Sequence, residues 1–261
     1  MVRSNAIEEL LRRAIDGEEG LLSVKFQPIY ACDTKRVVSF EALARLEDPQ
    51  LGSIAPNEFI SIAERQQLIV PLGKKILPMA LQLVDRLNQR GIFGCRVAIN
   101  ISALQLMDDS FATFVSDQLA KRHIHPSRIE FELTESSFAD DHLLPRRLTE
   151  LRNLGIRLSI DDFGTGYSSL DRLRQLQFDT IKLGNTFTQQ IKNEYSQQFI
   201  TAIVAMAHHI GKRVVAEGVE TEEQRVYLKE INCDLIQGYL LSKPLDLLEA
   251  LQLCKEANGD A

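Results

Sequence analysis

Six runs of strand-forming residues, nearly all β-branched or aliphatic, recur down the last two thirds of this chain, and a polar side chain stands at or just past the end of each. They are Val97 to Ile101, Ile129 to Leu133, Ile156 to Ile160, Thr180 to Leu183, Arg213 to Ala216 and Asp234 to Gln237. Between them, apolar residues recur with helical spacing near Ser110 to Arg122, Leu143 to Leu154, from Ser168, and in one long stretch to about Ile210. Further helices are expected after a Thr221 cap and after Pro244. Strand and helix in strict alternation imply parallel strands joined by helical crossovers.

Two earlier runs, Val24 to Tyr30 and Val37 to Leu43, flank the polar turn Cys32-Asp33-Thr34-Lys35 and read as an antiparallel hairpin. Two early and six later strands make eight, the arithmetic of an α/β, TIM-like (β/α)8 barrel modified by its antiparallel opening pair. An open doubly wound sheet is the competing arrangement. Ser4 or Asn5 caps a first helix whose Ile7, Leu10, Leu11 and Ala14 form one apolar stripe ending near Gly17. Residues 1–20 therefore read as an N-terminal helix and 21–261 as the barrel domain, with too few residues ahead of the barrel for a sensory domain. A helix begins at Pro56, and another runs from about Val70 to Asn88, where Pro78 predicts an interior kink. The chain has 261 residues, 44% hydrophobic and 25% charged, which suits a folded barrel and excludes disorder.

The polar strand ends are Glu41, Asn100, Glu132, the pair Asp161 and Asp162, Lys182, Glu217 and Gln237, at gaps of 59, 32, 29, 21, 35 and 20 residues. After the first gap, each interval fits one strand–helix unit. One such acid alone is an ordinary helix cap or loop residue. Several in phase with the strands converge on one mouth, because all strand C-termini of a barrel meet there. Five carboxylates and one ammonium leave a formal −4 in one pocket, which protons or cations must neutralise. Oxygen donors without His or Cys suit Mg2+ or Mn2+ better than Zn2+. Adjacent Asp161 and Asp162 can bridge two ions ~3.5–4 Å apart, the arrangement used on phosphate esters, with Lys182 orienting a water or balancing charge.

Other features exclude functions. The net charge of −6 argues against a DNA or RNA binder, which needs a basic face. Four dispersed cysteines form no CxxC pair, and no apolar run approaches the ~20 residues that span a membrane. The expectation is a cytoplasmic protein. The five histidines form no HExxH and read as surface or core residues. Asp162-Phe163-Gly164-Thr165-Gly166 is a glycine loop outside the phosphate-binding patterns, and Tyr167 beside it either stacks on a base or packs.

Nine segments, in order from about Leu22 to Pro244, resemble the EAL domain family. They are Gln27-Pro28-Ile29, Glu41-Ala42-Leu43 with Arg45, Pro56 through Phe59-Ile60 to Ala63-Glu64, Asn100-Ile101-Ser102, and Glu132-Leu133-Thr134-Glu135. The remainder are Asp161 through Gly166, Ile181-Lys182, Ala216 through Glu220, and Gln237-Gly238-Tyr239. The resemblance implies a cytoplasmic phosphodiesterase that hydrolyses cyclic di-GMP to linear pGpG with Mg2+ or Mn2+, is inhibited by Ca2+, and forms a homodimer. It implies Glu41, Asn100, Glu132, Asp161, Asp162 and Glu217 as metal ligands and Lys182 as the residue contacting the attacking water. Gln27, Leu43, Arg45 and Gln237 match substrate-side positions, and Glu135 matches the acid that anchors the loop from Asp162 to Leu170.

Two positions depart from the family pattern. Gly184 stands where the family has Asp two residues after the lysine, and Leu46 stands where Trp commonly follows the arginine. Gly184 invites a different reading, a receptor that binds cyclic di-GMP without cleaving it. An enolase-like barrel enzyme also uses strand-end carboxylates and a lysine, but gives Gln27, Arg45 and Gln237 no role.

Overall fold

The computed structural model describes residues 2–135, 143–164 and 177–259. The turn at Cys32 to Lys35 joins β1 (Leu22–Ala31) to β2 (Val37–Asp48) in an antiparallel register that sets Gln27 opposite Glu41. Parallel pairing then runs from β2 through β4 (Arg96–Asn100), β5 (Ile129–Thr134), β6 (Arg157–Phe163), β7 (Thr180–Leu183) and β8 (Arg213–Ala216) to β9 (Leu235–Ile236). β9 returns antiparallel to β1, so eight strands close into a TIM-like barrel. β3 (Gly52–Ile54) extends β2 outside the ring.

Residues alternate across each strand. Val97 and Ile99, Phe131 and Leu133, Leu158 and Ile160, Ile181 and Leu183, Val214 and Ala216 are all buried in the main core shared with the helices. Their neighbours therefore face the barrel interior, and these carry the polar residues. That is why β-branched runs here end on charged groups. The outward face supplies the hydrophobic stabilisation, while the inward face at the C-terminal ends is left for chemistry.

The long first gap is occupied by β3, α2 (Pro56–Arg65) and α3 (Ile69–Asn88). With α1 (Val2–Asp16) these build a second core, in which Ile7, Leu10, Leu11 and Ala14 meet Phe59, Ile62, Ala63 and Leu72. α3 runs over its expected length with Pro78 in its interior. Its buried face, from Leu72 through Leu81 and Val84 to Leu87, outweighs the ~3 kcal/mol that an interior proline costs.

Several boundaries differ from expectation. The third parallel strand extends to Phe163 and so includes both aspartates. The long helix ending near Ile210 is two helices, α7 (Asn185–Gln189) and α8 (Glu194–His209). Asn193 starts the second by accepting from the Tyr195 N–H, a side-chain cap that competes with a continuous helix. A short α4 (Ala103–Leu106) follows β4 behind a Ser102–Gln105 capping box. α5 (Phe111–Lys121) and α6 (Leu144–Asn153) lie where periodicity predicts them, as do α9 (Glu222–Glu230), capped by Thr221, and α10 (Leu247–Gly259). The helix expected from Ser168, and Thr165, Gly166 and Tyr167 of the glycine loop, lie outside the described residues.

Candidate active site

The strand ends converge on one ammonium. Lys182 Nζ, projecting inward from β7, lies 2.7 Å from Glu132 Oε2 on β5 and 2.7 Å from Glu217 Oε1 just past β8. It is 3.2 Å from Asp161 Oδ1 on β6 and 3.4 Å from Glu41 Oε2 on β2. Only side chains turned into the barrel can meet in this way. Asn100 Nδ2 donates to Glu41 Oε1 at 2.7 Å and Gln237 Nε2 donates to Glu41 Oε2 at 2.8 Å, so both oxygens of that carboxylate are held.

One cation among so many acids has electrostatic consequences. Burial pushes Glu132 well above the ordinary carboxylate range, with Glu41 and Asp161 adding to it. Burial, aided by Asp161 and Glu41, likewise drives Glu217 up to about 8. Burial also raises Asp162, and its neighbour Asp161 reinforces the shift. For Glu41 burial is opposed by the Lys182 charge and by the Gln237 and Asn100 hydrogen bonds, and the net shift is downward. Burial disfavours the charged form of Lys182, yet Asp161, Glu132, Glu217 and Glu41 outweigh it and hold the ammonium protonated. The site lacks positive charge.

Carboxylate oxygens of Asp161, Asp162 and Glu217 lie within 4.8 Å of one another, a compact all-oxygen group. Asp162 takes a left-handed φ of 53°, and its N–H donates to Asp161 Oδ1 at 3.0 Å, which folds the two acids onto the same rim. Buried Gln237 Oε1 has no hydrogen-bond partner among the described residues. Oxygen donors, an unpartnered buried carbonyl and a charge deficit fit a divalent cation. Glu41, Asn100 and Glu132 stand beside this group but are engaged with Lys182, Gln237 and each other.

The remaining predicted residues line two cavities that share Glu41, Asp161 and Asp162. One, of about 390 Å³, is bordered by Leu43, Arg45, Asn100 and Glu132. The other, of about 350 Å³, is bordered by Gln27, Glu217 and Gln237. Arg45 Nη1 donates to the Ala44 carbonyl, and Gln27 Nε2 donates to the Ser242 carbonyl at 3.4 Å. Glu135 Oε2 accepts from the Gly164 N–H at 2.8 Å, at the start of the glycine loop.

Residues 8–244 match the profile of the EAL domain. The chain belongs to the EAL domain family. Cyclic di-GMP phosphodiesterase NbdA of Pseudomonas aeruginosa is 37% identical over 258 residues, covering 98% of this chain and 33% of NbdA. Cyclic di-GMP phosphodiesterase PdeR of Escherichia coli is 38% identical, covering 90% of this chain and 35% of PdeR. The chain thus spans about a third of the length of these relatives. The solved PaMucR phosphodiesterase in complex with c-di-GMP is 32% identical with a TM-score of 0.87, covering 94% of this chain and 99% of that one.

Three supports of this EAL site carry no strand-end signal in the sequence. Ser102 Oγ donates to Glu64 Oε1 at 2.6 Å beside the larger cavity, tying α2 to the end of β4. Buried Thr188 donates to the Glu217 carbonyl at 2.5 Å and fixes the backbone that carries that acid. A Cβ at Gly238 would stand 2.1 Å from the Val219 carbonyl oxygen, so only glycine admits that approach beside Gln237. The first two partners are joined only by the fold. The third falls within the Gln237-Gly238-Tyr239 segment.

Proposed function

We propose that this EAL domain is a divalent-metal-dependent phosphodiesterase that hydrolyses cyclic di-GMP to linear pGpG. The observation that carries the reading is the meeting of four carboxylates from four strands around Lys182, with Asp161, Asp162 and Glu217 grouped as oxygen donors at the mouth. The similarity to the cyclic di-GMP phosphodiesterases NbdA and PdeR, and to PaMucR in its c-di-GMP complex, supports the substrate.

In this reading Glu41, Asn100, Glu132, Asp161, Asp162 and Glu217 hold Mg2+ or Mn2+, two ions per site, and Ca2+ inhibits. Bound, the ions supply positive charge that polarises the phosphodiester and acidifies an attacking water. The protein's own residues do the positioning. Asn100 and Gln237 keep Glu41 ionised and oriented. Lys182 stays charged, steadies the acids around it, and presents N–H groups that orient the water for in-line attack. Arg45 offers a guanidinium to a phosphate on the side of the larger cavity, with Leu43 beside it, while Gln27 and Gln237 serve the other. Glu135 anchors the glycine loop through Gly164.

The proposal places residues 1–20 as a helix packed on a barrel domain of 21–261, acting in the cytoplasm as a homodimer. Four buried cysteines outside any disulfide fit a reducing compartment, and no helix among the described residues is long and apolar enough to cross a membrane. Exposed Tyr195 and Phe199 on α8 offer apolar surface to a second copy.

Purified chain incubated with Mn2+ and cyclic di-GMP should release pGpG, and chelator should abolish the product. Gly184 favours the second reading, a receptor, since it ends the Lys182 strand without a side chain. Tight binding with no pGpG at any metal concentration would decide for that reading.

A further inference from the structure

The opposite end of the barrel carries a second charged ring. Arg96 opens β4, Arg157 opens β6 and Arg213 opens β8, each four residues before the mouth residue on its strand, Asn100, Asp161 and Glu217. Strand alternation therefore turns all three into the barrel, about 13 Å below the mouth at ~3.3 Å per residue. Glu130, two residues before Glu132 and so one inward step above the arginines, is the one interior acid below the mouth among the described strand residues. It is buried, pairs in register with Arg157, and stands 3.9 Å from Arg213 Nη2. The nearby aspartates are engaged elsewhere: Asp179 with the Leu158 N–H and Arg152, Asp234 with the Val214 N–H and His208.

Three arginines thus face one interior carboxylate, and only Arg213, its side chain 29% exposed, lies within 4 Å of it. Buried Arg96 Nε has no hydrogen-bond acceptor among the described residues. Burial lowers the Arg96 pKa, and the charges of Arg213 and Arg157 lower it further. Above them the interior is lined on one side by the small side chains of Ser39, Ala98, Ser159 and Thr180 and closed on the other by buried Ile29, Val215 and Leu235, and Arg213 Nη2 donates weakly to Thr180 Oγ1 at 3.4 Å. An unpaired buried donor and an excess of positive charge are costly unless an anion satisfies both. Guanidinium forks match a tetrahedral oxyanion in geometry as well as charge.

We propose that the barrel floor is a binding site for a free tetrahedral oxyanion, phosphate or sulfate, held by Arg96, Arg157 and Arg213. This site is separate from the mouth and does not depend on the reading of the mouth as a phosphodiesterase.

The test titrates sodium phosphate into the chelated chain by calorimetry, with sodium chloride at matched ionic strength as control. Chelator removes metal through which phosphate could bind at the mouth. Phosphate should bind saturably and raise the melting temperature, and chloride should do neither. Arg96→Gln, Arg157→Gln or Arg213→Gln should each weaken phosphate binding about tenfold or more. Glu130→Gln, which removes the competing carboxylate, should tighten it. Parental phosphate affinity in Arg96→Gln, or equal responses to chloride and phosphate, would overturn the site. If the glutamine variants fail to fold, guanidinium labelling of the parent protein with phenylglyoxal decides the same question. Phosphate should protect Arg96, Arg157 and Arg213 but leave exposed Arg3 reactive, and unchanged labelling of the three would sink the proposal.

Discussion

The Lys182 ammonium stands 2.7 Å from Glu132 Oε2, with the two side chains 1% and 2% exposed. Burial drives Glu132 well above the ordinary carboxylate range even with the ammonium beside it, and the lysine stays charged against its own burial because Asp161, Glu132, Glu217 and Glu41 all face it. One ammonium therefore holds four strand ends together, and its removal should be felt in folding as well as in chemistry.

Lys182→Met tests this directly. Removing the cation leaves an uncompensated acidic cluster, and breaking a buried charge pair costs ~3–5 kcal/mol. Urea denaturation in chelator should show a loss of that order, and millimolar Mn2+ should restore part of it. Turnover of cyclic di-GMP should fall by ~10²-fold or more. Stability equal to the parent in chelator would show that the acids tolerate each other without the lysine.

The pH dependence of the chelated chain follows from Glu217, whose pKa lies near 8 in the fold against an ordinary 4.5. Below pH 4.5 both states carry the proton, and the stabilisation that Glu217 contributes is fully present. Between 4.5 and about 8 the folded chain keeps a proton that the unfolded chain has released, so stability falls as pH rises, by up to ~1.4 kcal/mol per unit for one such group. Glu132 acts in the same direction. Glu41, shifted down, acts only below its ordinary 4.5, and Lys182, shifted up, only above 10.5. The melting temperature in chelator should therefore drop from about pH 5 to about pH 8, and Glu217→Gln should flatten the slope. A rise across that window would contradict the assignment.

The barrel and its mouth were legible because two periodicities coincide. Outward residues such as Val97, Ile99, Phe131 and Leu133 alternate with inward ones, and a side chain such as Asn100 or Glu132 recurs once per strand–helix unit. What stayed hidden depends on contacts between distant segments. The break at Asn193 follows from a side-chain cap rather than from any lapse in apolar spacing. The Ser102–Glu64 and Thr188–Glu217 bonds join residues 38 and 29 positions apart, and no spacing rule links them.

Gly238 offers a packing test next to the site. A methyl group there would stand 2.1 Å from the Val219 carbonyl oxygen and 2.3 Å from its nitrogen, and backbone cannot swing aside as a flexible side chain does. The same segment carries the Val219 N–H to Gln237 carbonyl bond of 3.0 Å. Gly238→Ala should cost at least the ~1–3 kcal/mol of overpacking. It should also weaken substrate binding by displacing Gln237. Parental stability by chemical denaturation would mean that the two segments separate more easily than their packing implies.

Gly184 separates the two functional readings. It caps α7 with φ −58° and ψ 156°, an extended conformation open to any side chain, and it makes no side-chain capping bond. By strand alternation residue 184 falls on the same side as Lys182. An aspartate there would cap the exposed N–H groups of α7 and add a carboxylate beside the lysine and Glu217. Gly184→Asp should raise the rate of pGpG release about tenfold while changing cyclic di-GMP affinity little, with affinity measured in Ca2+, the ion proposed to inhibit, in place of Mn2+. A parent chain that binds without cleaving, and gains cleavage only in this variant, would be a receptor made from an enzyme by one missing carboxylate. Unchanged turnover in the variant, with product formed by both, would show that Lys182 and its four acids suffice without it.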